Sequence, residues 1–179
     1  MYLIRQITSS HAVNRKFKVY KKRGTTWFQE DMFEISSAQA FYTHLKSAHL
    51  SLEYGIIHLE TVYRNILYQL YPHIKIAIDE SAMRQYVISI LEGTSETYEE
   101  IAISLENGKD TVAGELLAFI NMFYGAKEER EALLHYARWQ YERPLNEKKL
   151  TRFERVMEFY LVEILNYFEL KRIDKTLEI

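Results

Sequence analysis

The sequence predicts a mainly α protein: a single-domain bundle of about seven helices with a small N-terminal antiparallel β element. Three observations lead there. Of 179 residues 47% are hydrophobic, enough for one sizeable core. Only six Gly and two Pro occur, fewer than a sandwich or barrel with many tight turns uses. Gly24, Gly55, Gly93, Gly108 and Gly125 all fall at breaks between proposed elements, leaving Gly114 inside a helix.

Residues 1–35 read as a basic, hairpin-like β element, and 36–179 as a helical domain forming one compact unit with it. Lys16-Phe17-Lys18-Val19-Tyr20 alternates polar and apolar with period two, Gly24-Thr25-Thr26 offers a turn, and Trp27 to Phe33 returns. Ser36-Ser37 can cap a first helix whose apolar residues Phe41, Leu45, Ala48 and Leu52 recur at helical spacing, with Gly55 ending or kinking it. Ile56, Leu59, Val62, Tyr63, Ile66, Leu67 and Leu70 give a second helix that closes at Pro72. His73 to Ile78 is a short strand or a linker. Asp79 can cap a third helix running to Gly93, and Tyr98 to about Leu105 forms a fourth, ended by Asn107-Gly108. A fifth runs from Asp110 or Thr111 to Gly125 and a sixth from Lys127 to Glu142, before Pro144. The last spans Glu147 to Ile173, about 40 Å at ~1.5 Å per residue.

Zero cysteine excludes disulfide scaffolds, thiolate zinc sites, iron–sulfur clusters and cysteine nucleophiles. The N-terminus lacks the apolar stretch of a signal peptide, and no segment approaches the ~20 apolar residues of a membrane span. A cytoplasmic protein that makes no membrane contact is the resulting expectation. No glycine-rich phosphate loop occurs, and no serine has the flanking glycines of a nucleophile elbow. None of the six histidines stands three or four residues from another or closes a Glu-x-x-His motif, so neither metal nor cofactor is expected.

The net charge of −2 hides a strong asymmetry. Residues 1–29 carry seven bases and no acid, whereas residues 79–131 carry twelve acids against four bases. Lys16, Lys18, Lys21, Lys22 and Arg23, interleaved with aromatics such as Trp27, form a candidate surface for nucleic acid or an acidic protein, because cations contact phosphates while rings stack on bases. On an alternating strand Lys16 and Lys18, and in extension Lys22, share one face, with Phe17 and Val19 directed to the core. A solvated strand edge would use the same lysines against aggregation.

Two further patterns carry weaker chemistry. Met83 to Phe123, with Tyr98-Glu99-Glu100-Ile101-Ala102 ahead of a helix at Val112, resembles part of a helix-turn-helix, although its second helix, Thr111 to Phe123, bears no Lys or Arg to read bases. Arg130-Glu131-Ala132-Leu133-Leu134-His135 resembles the Arg-x4-His motif of HEPN-type RNases, a resemblance implying phosphate handling by Arg130 and proton transfer by His135. Five steps along a regular helix set those side chains ~140° apart, so convergence requires a break or a second subunit. Tyr136, Trp139, Tyr160 and Tyr167 could line a protein-binding groove or a homodimer interface along the C-terminal helix, or serve as core and rim packing. The leading expectation is a small regulatory or adaptor protein that binds a macromolecule and is not an enzyme. The alternatives are a HEPN-like helical RNase and a helical peptide- or protein-binding scaffold.

Overall fold

The computed structural model describes residues 1–7, 13–91, 112–144 and 147–173. In chain order the elements are β1 (Tyr2–Gln6), β2 (Arg15–Arg23), β3 (Thr26–Ile35), α1 (Ala38–Ala48), β4 (Leu52–Ile56), α2 (Thr61–Leu70), β5 (Lys75–Ala77), α3 (Glu80–Leu91), α4 (Val112–Tyr124), α5 (Glu129–Glu142), α6 (Lys148–Phe159) and α7 (Leu161–Ile173). The chain divides into two compact units, one of residues 1–79 with 163–179 and one of residues 80–162.

The first unit overturns the mainly α expectation. It is an α/β structure built on a five-stranded mixed sheet in the order β3-β2-β1-β4-β5. β2 pairs antiparallel with β1 and β3, whereas β1, β4 and β5 run parallel. The description as an all-α helical bundle fails because two strands arise outside the N-terminal element. The helical spacing Phe41, Leu45, Ala48 is real, and Ser37 caps α1 by accepting from the Ala40 amide at 3.1 Å. The helix stops at His49, which adopts left-handed φ 51° and ψ 33° without a glycine to announce it. Leu52, the next residue in that frame, then opens β4. Gly55, Ile56 and Ile57 are buried in succession and lack alternation, so with Leu52 ahead of them they imitate a helical apolar run.

Helices pack on both faces of the sheet, while β3 at its edge stays largely exposed. Ile4, Phe17, Val19 and Phe33 pack beneath Phe41 and Leu45 of α1 and Tyr63 and Leu67 of α2. Phe17 is the hub of that layer, with ring centroids 4.5 Å from Phe41, 5.4 Å from Phe33 and 5.6 Å from Tyr63. On the opposite face Leu3, Tyr20, Trp27, Ile56 and Ala77 pack against Leu170 of α7. The same helix covers the outer edge of β5: the Asn166 side chain donates to Ile76 O at 2.9 Å, and the Ile78 amide donates to Glu163 O at 3.0 Å. The backbone groups there need such partners, since a bare strand edge invites pairing with another chain.

Gly55, expected to break a helix, lies in the middle of β4. A Cβ there would meet Ile74, Ile4 and Leu67 at 3.5–3.6 Å, ordinary van der Waals contact. Gly55→Ala is therefore expected to raise stability slightly, by about 0.4–1 kcal/mol, through the smaller entropy of the unfolded chain. A lowered denaturation midpoint in urea would show that the strand needs glycine.

The second unit is helical. Phe119 of α4, Tyr136 and Trp139 of α5 and Phe153 of α6 form its aromatic centre, with Phe119 to Trp139 at 5.1 Å and Trp139 to Phe153 at 5.6 Å. Gln140 of α5 and Arg143, the residue that caps its C-terminus, both donate to the Glu154 carboxylate of α6. The single long helix expected from Glu147 to Ile173 is instead two, α6 and α7, separated at Tyr160, where φ −104° and ψ 14° leave the helical path. Neither Gly nor Pro marks that break.

Candidate functional site

The cations of the N-terminal segment sit on two adjacent central strands. Strand alternation, fixed by burial of Phe17 and Val19 toward α1 and α2, directs Arg5, Lys16, Lys18 and Lys22 to the opposite face, the one that carries Leu3 and Tyr20. Register places Lys18 directly between Arg5 of β1 and Met32 of β3. Lys16 stands opposite Glu34, Lys21 between Tyr2 and Phe28, and Lys22 opposite Trp27. Three of the seven bases are neutralised within the protein: Arg5 by Asp79 at 3.1 Å, Arg15 by Glu60 at 2.7 Å and Arg23 by Glu30 at 2.8 Å. Among the described residues Lys18, Lys21 and Lys22 join no ion pair. Instead Lys21 lies 5.3 Å from the Tyr2 ring centroid and Lys22 5.6 Å from that of Trp27.

Trp27 itself is 6% exposed and belongs to the core under α7, so its face is not a stacking platform. Tyr136, Trp139 and Tyr160 are likewise buried in the helical unit, whereas Tyr167 packs half-buried beside Phe168 in the first. These rings are core because the spacing that suggested a groove also aims them inward. Arg130 and His135 lie on the uninterrupted α5, so the helix itself holds them apart, and His135 is 3.7 Å from Glu131. Residues 92–111, with most of the unit resembling a helix-turn-helix, lie outside the described residues.

A second polar constellation occupies the carboxyl ends of β1, β4 and β5. Gln6, 3% exposed, accepts from the His58 amide at 3.0 Å and donates to Glu60 at 2.8 Å. Glu60 also accepts from Arg15 Nε at 2.7 Å, and Arg5 reaches Asp79 just beyond β5. His58 stands among them with Nδ1 buried and without a hydrogen-bond partner. Burial chiefly holds its ring below the ordinary 6.5, against the raising effect of Asp79 and Glu60 and with the aid of Arg15 and Arg5. Unfolded, His58 takes a proton near 6.5, and folded it resists until lower pH, so its contribution to stability is present above 6.5 and lost as pH falls below it. Thermal melts of the wild type should therefore lose ground to His58→Gln between neutrality and pH 5, and parallel curves would contradict this. Sequence reading missed this group because its members are joined only by strand adjacency.

Open α/β sheets bind ligands outside the carboxyl ends of parallel strands, at the point where strand order reverses. β1, flanked by antiparallel β2 and parallel β4, is that point here. A cleft of about 460 Å³ lies at the other end of the sheet, between Leu52, Tyr54, Tyr71 and Lys75. Among the described residues no three His, Asp or Glu side chains gather as a metal site, and no helix is long and apolar enough to cross a membrane. No family model and no curated protein matches the chain.

Proposed function

We propose that the protein is a nucleic-acid-binding module of regulatory or adaptor type, acting in the cytoplasm, with β2 as its contact strand. The observation that carries this reading is Lys18 placed directly opposite Arg5 on one sheet face. Asp79 neutralises Arg5, so Lys18 carries the net charge of that cross-strand pair and is the cation a phosphate would meet. Lys16 and Lys22 extend the row on the same face, while Lys21 and Arg23 lie at its end. β2 is nine residues long, and at ~3.3 Å per residue it spans about 30 Å, comparable to nine base steps at ~3.4 Å. The cytoplasmic setting is supported by the lack of cysteine. Fluorescence anisotropy of labelled ten-residue DNA and RNA oligomers, single- and double-stranded, tests the reading. Saturable binding to at least one is expected, and none to any would remove it.

A further inference from the structure

We propose, building on the nucleic-acid function above, that the hairpin end of β2 and β3 binds one unpaired nucleotide of a single strand, with the Phe28 ring as the platform for its base and Lys21 as the cation for its phosphate. Phe28 is 48% exposed, and among the described residues no other ring stacks on it. A β-bulge puts it there. Asp31 stands opposite Val19 and Gln29 opposite Tyr20, so Glu30 is the extra residue and the alternation of β3 changes phase across it. Phe33 and Asp31 face α1, Trp27 enters the core under α7, and Phe28 comes out exposed on the α1 side of the sheet. Strict alternation from Phe33 would have sent Trp27 to that side instead.

Register supplies the charge. Lys21 lies between Tyr2 of β1 and Phe28 of β3, its ammonium 5.3 Å from the Tyr2 centroid, and among the described residues it joins no ion pair. Arg23, two residues on and on the same face, sits 5.8 Å from the Phe28 centroid. Glu30 offsets its charge at 2.8 Å, so Arg23 contributes a flat guanidinium beside the ring rather than a phosphate contact. Adjacent strands stand ~4.8 Å apart, so the Phe28 ring and the Lys21 ammonium can bracket one nucleotide, base on ring and phosphate on ammonium. The same geometry selects a single strand. A duplex keeps both faces of each base in its stack, so only an unpaired base reaches Phe28. Lys21 and Lys22, as neighbours in a strand, point to opposite faces. A chain that meets Lys22 on one side and Phe28 on the other must turn over the hairpin end, which a duplex stiff over ~150 base pairs does not do.

Anisotropy of a labelled ten-residue single strand, its duplex and an abasic backbone of the same length gives the test. Phe28→Leu keeps an apolar side chain and loses the ring, so it should weaken single-strand binding about tenfold. Phe28→Tyr should restore it, and neither change should move the affinity of the duplex or of the abasic backbone. In the wild-type complex, base protons should show NMR contacts to the Phe28 ring, which needs no variant. Wild-type affinity for the single strand retained in Phe28→Leu, equal losses for all three oligomers, or an absence of base-to-ring contacts would each overturn the stacking site. If such a result comes with binding that still falls in Lys18→Glu/Lys22→Glu, the lysine surface stands and this site alone is lost. No binding of any oligomer removes both.

Discussion

Replacing Lys18 and Lys22 together by Glu is expected to weaken nucleic-acid binding by about 100-fold at physiological salt. A unit charge meeting a phosphate at contact distance in water contributes about 1 kcal/mol, and reversal turns that into repulsion of similar size. Two reversals, screened over ~8 Å by salt, therefore cost about 3 kcal/mol. The fold should tolerate the change, because among the described residues neither lysine belongs to an internal ion pair. A Glu at 18 would face Arg5 across the β1–β2 ladder, but Asp79 already pairs with that guanidinium, so stability should change little. Binding is thus expected to fall while folding is retained. Anisotropy and a urea melt on the same sample check both, and unchanged affinity in a folded variant would contradict the assignment.

Glu163→Ala is expected to destabilise the protein by about 3–5 kcal/mol, a large part of the ~5–15 kcal/mol that holds a typical domain. Glu163 is 1% exposed and accepts hydrogen bonds from Arg64 and, at 3.1 Å, from the Tyr68 hydroxyl. Removing it takes from the half-buried Arg64 its buried carboxylate partner and from the Tyr68 hydroxyl its acceptor, and those two losses account for most of the effect. Burial and the neighbouring carboxylate hold the Tyr68 phenol up at about 12, so this site favours a neutral hydroxyl that donates. The carbonyl of Glu163 also receives the Ile78 amide, so loosening α7 exposes the β5 edge. Faster hydrogen exchange at Ile78 should accompany the lower unfolding temperature. An unchanged melt would mean that α7 is held without this pair.

The antiparallel half of the sheet was legible in the sequence and the parallel half was not. Period two over Lys16 to Tyr20 sorts the lysines from Phe17 and Val19 because β2 has one strongly apolar face there. β4 is buried at Leu52 and without interruption from Gly55 to Ile57, with Glu53 exposed between, so Leu52 to Ile57 shows no regular alternation, and its first residue continues the helical frame of α1. β5, at three residues, is too short to show a period. Aromatic residues beside lysines suggested a stacking surface, yet Tyr20 and Trp27 fill a second core that exists only because α7 returns to cover it. The strand-end group was hidden for the same topological reason. Arg5 meets Asp79 across 74 positions, and Arg15 meets Glu60 across 45, distances that only the β1–β4–β5 order closes.

The salt dependence of binding by the wild-type chain tests the central claim most directly. If Lys16, Lys18 and Lys22 contact phosphates, the logarithm of affinity should fall linearly with the logarithm of salt concentration with a slope of roughly −2 to −3, and Lys18→Glu/Lys22→Glu should flatten it by about 2. A slope near zero, or the same slope in wild type and variant, would contradict a nucleic-acid surface on β2.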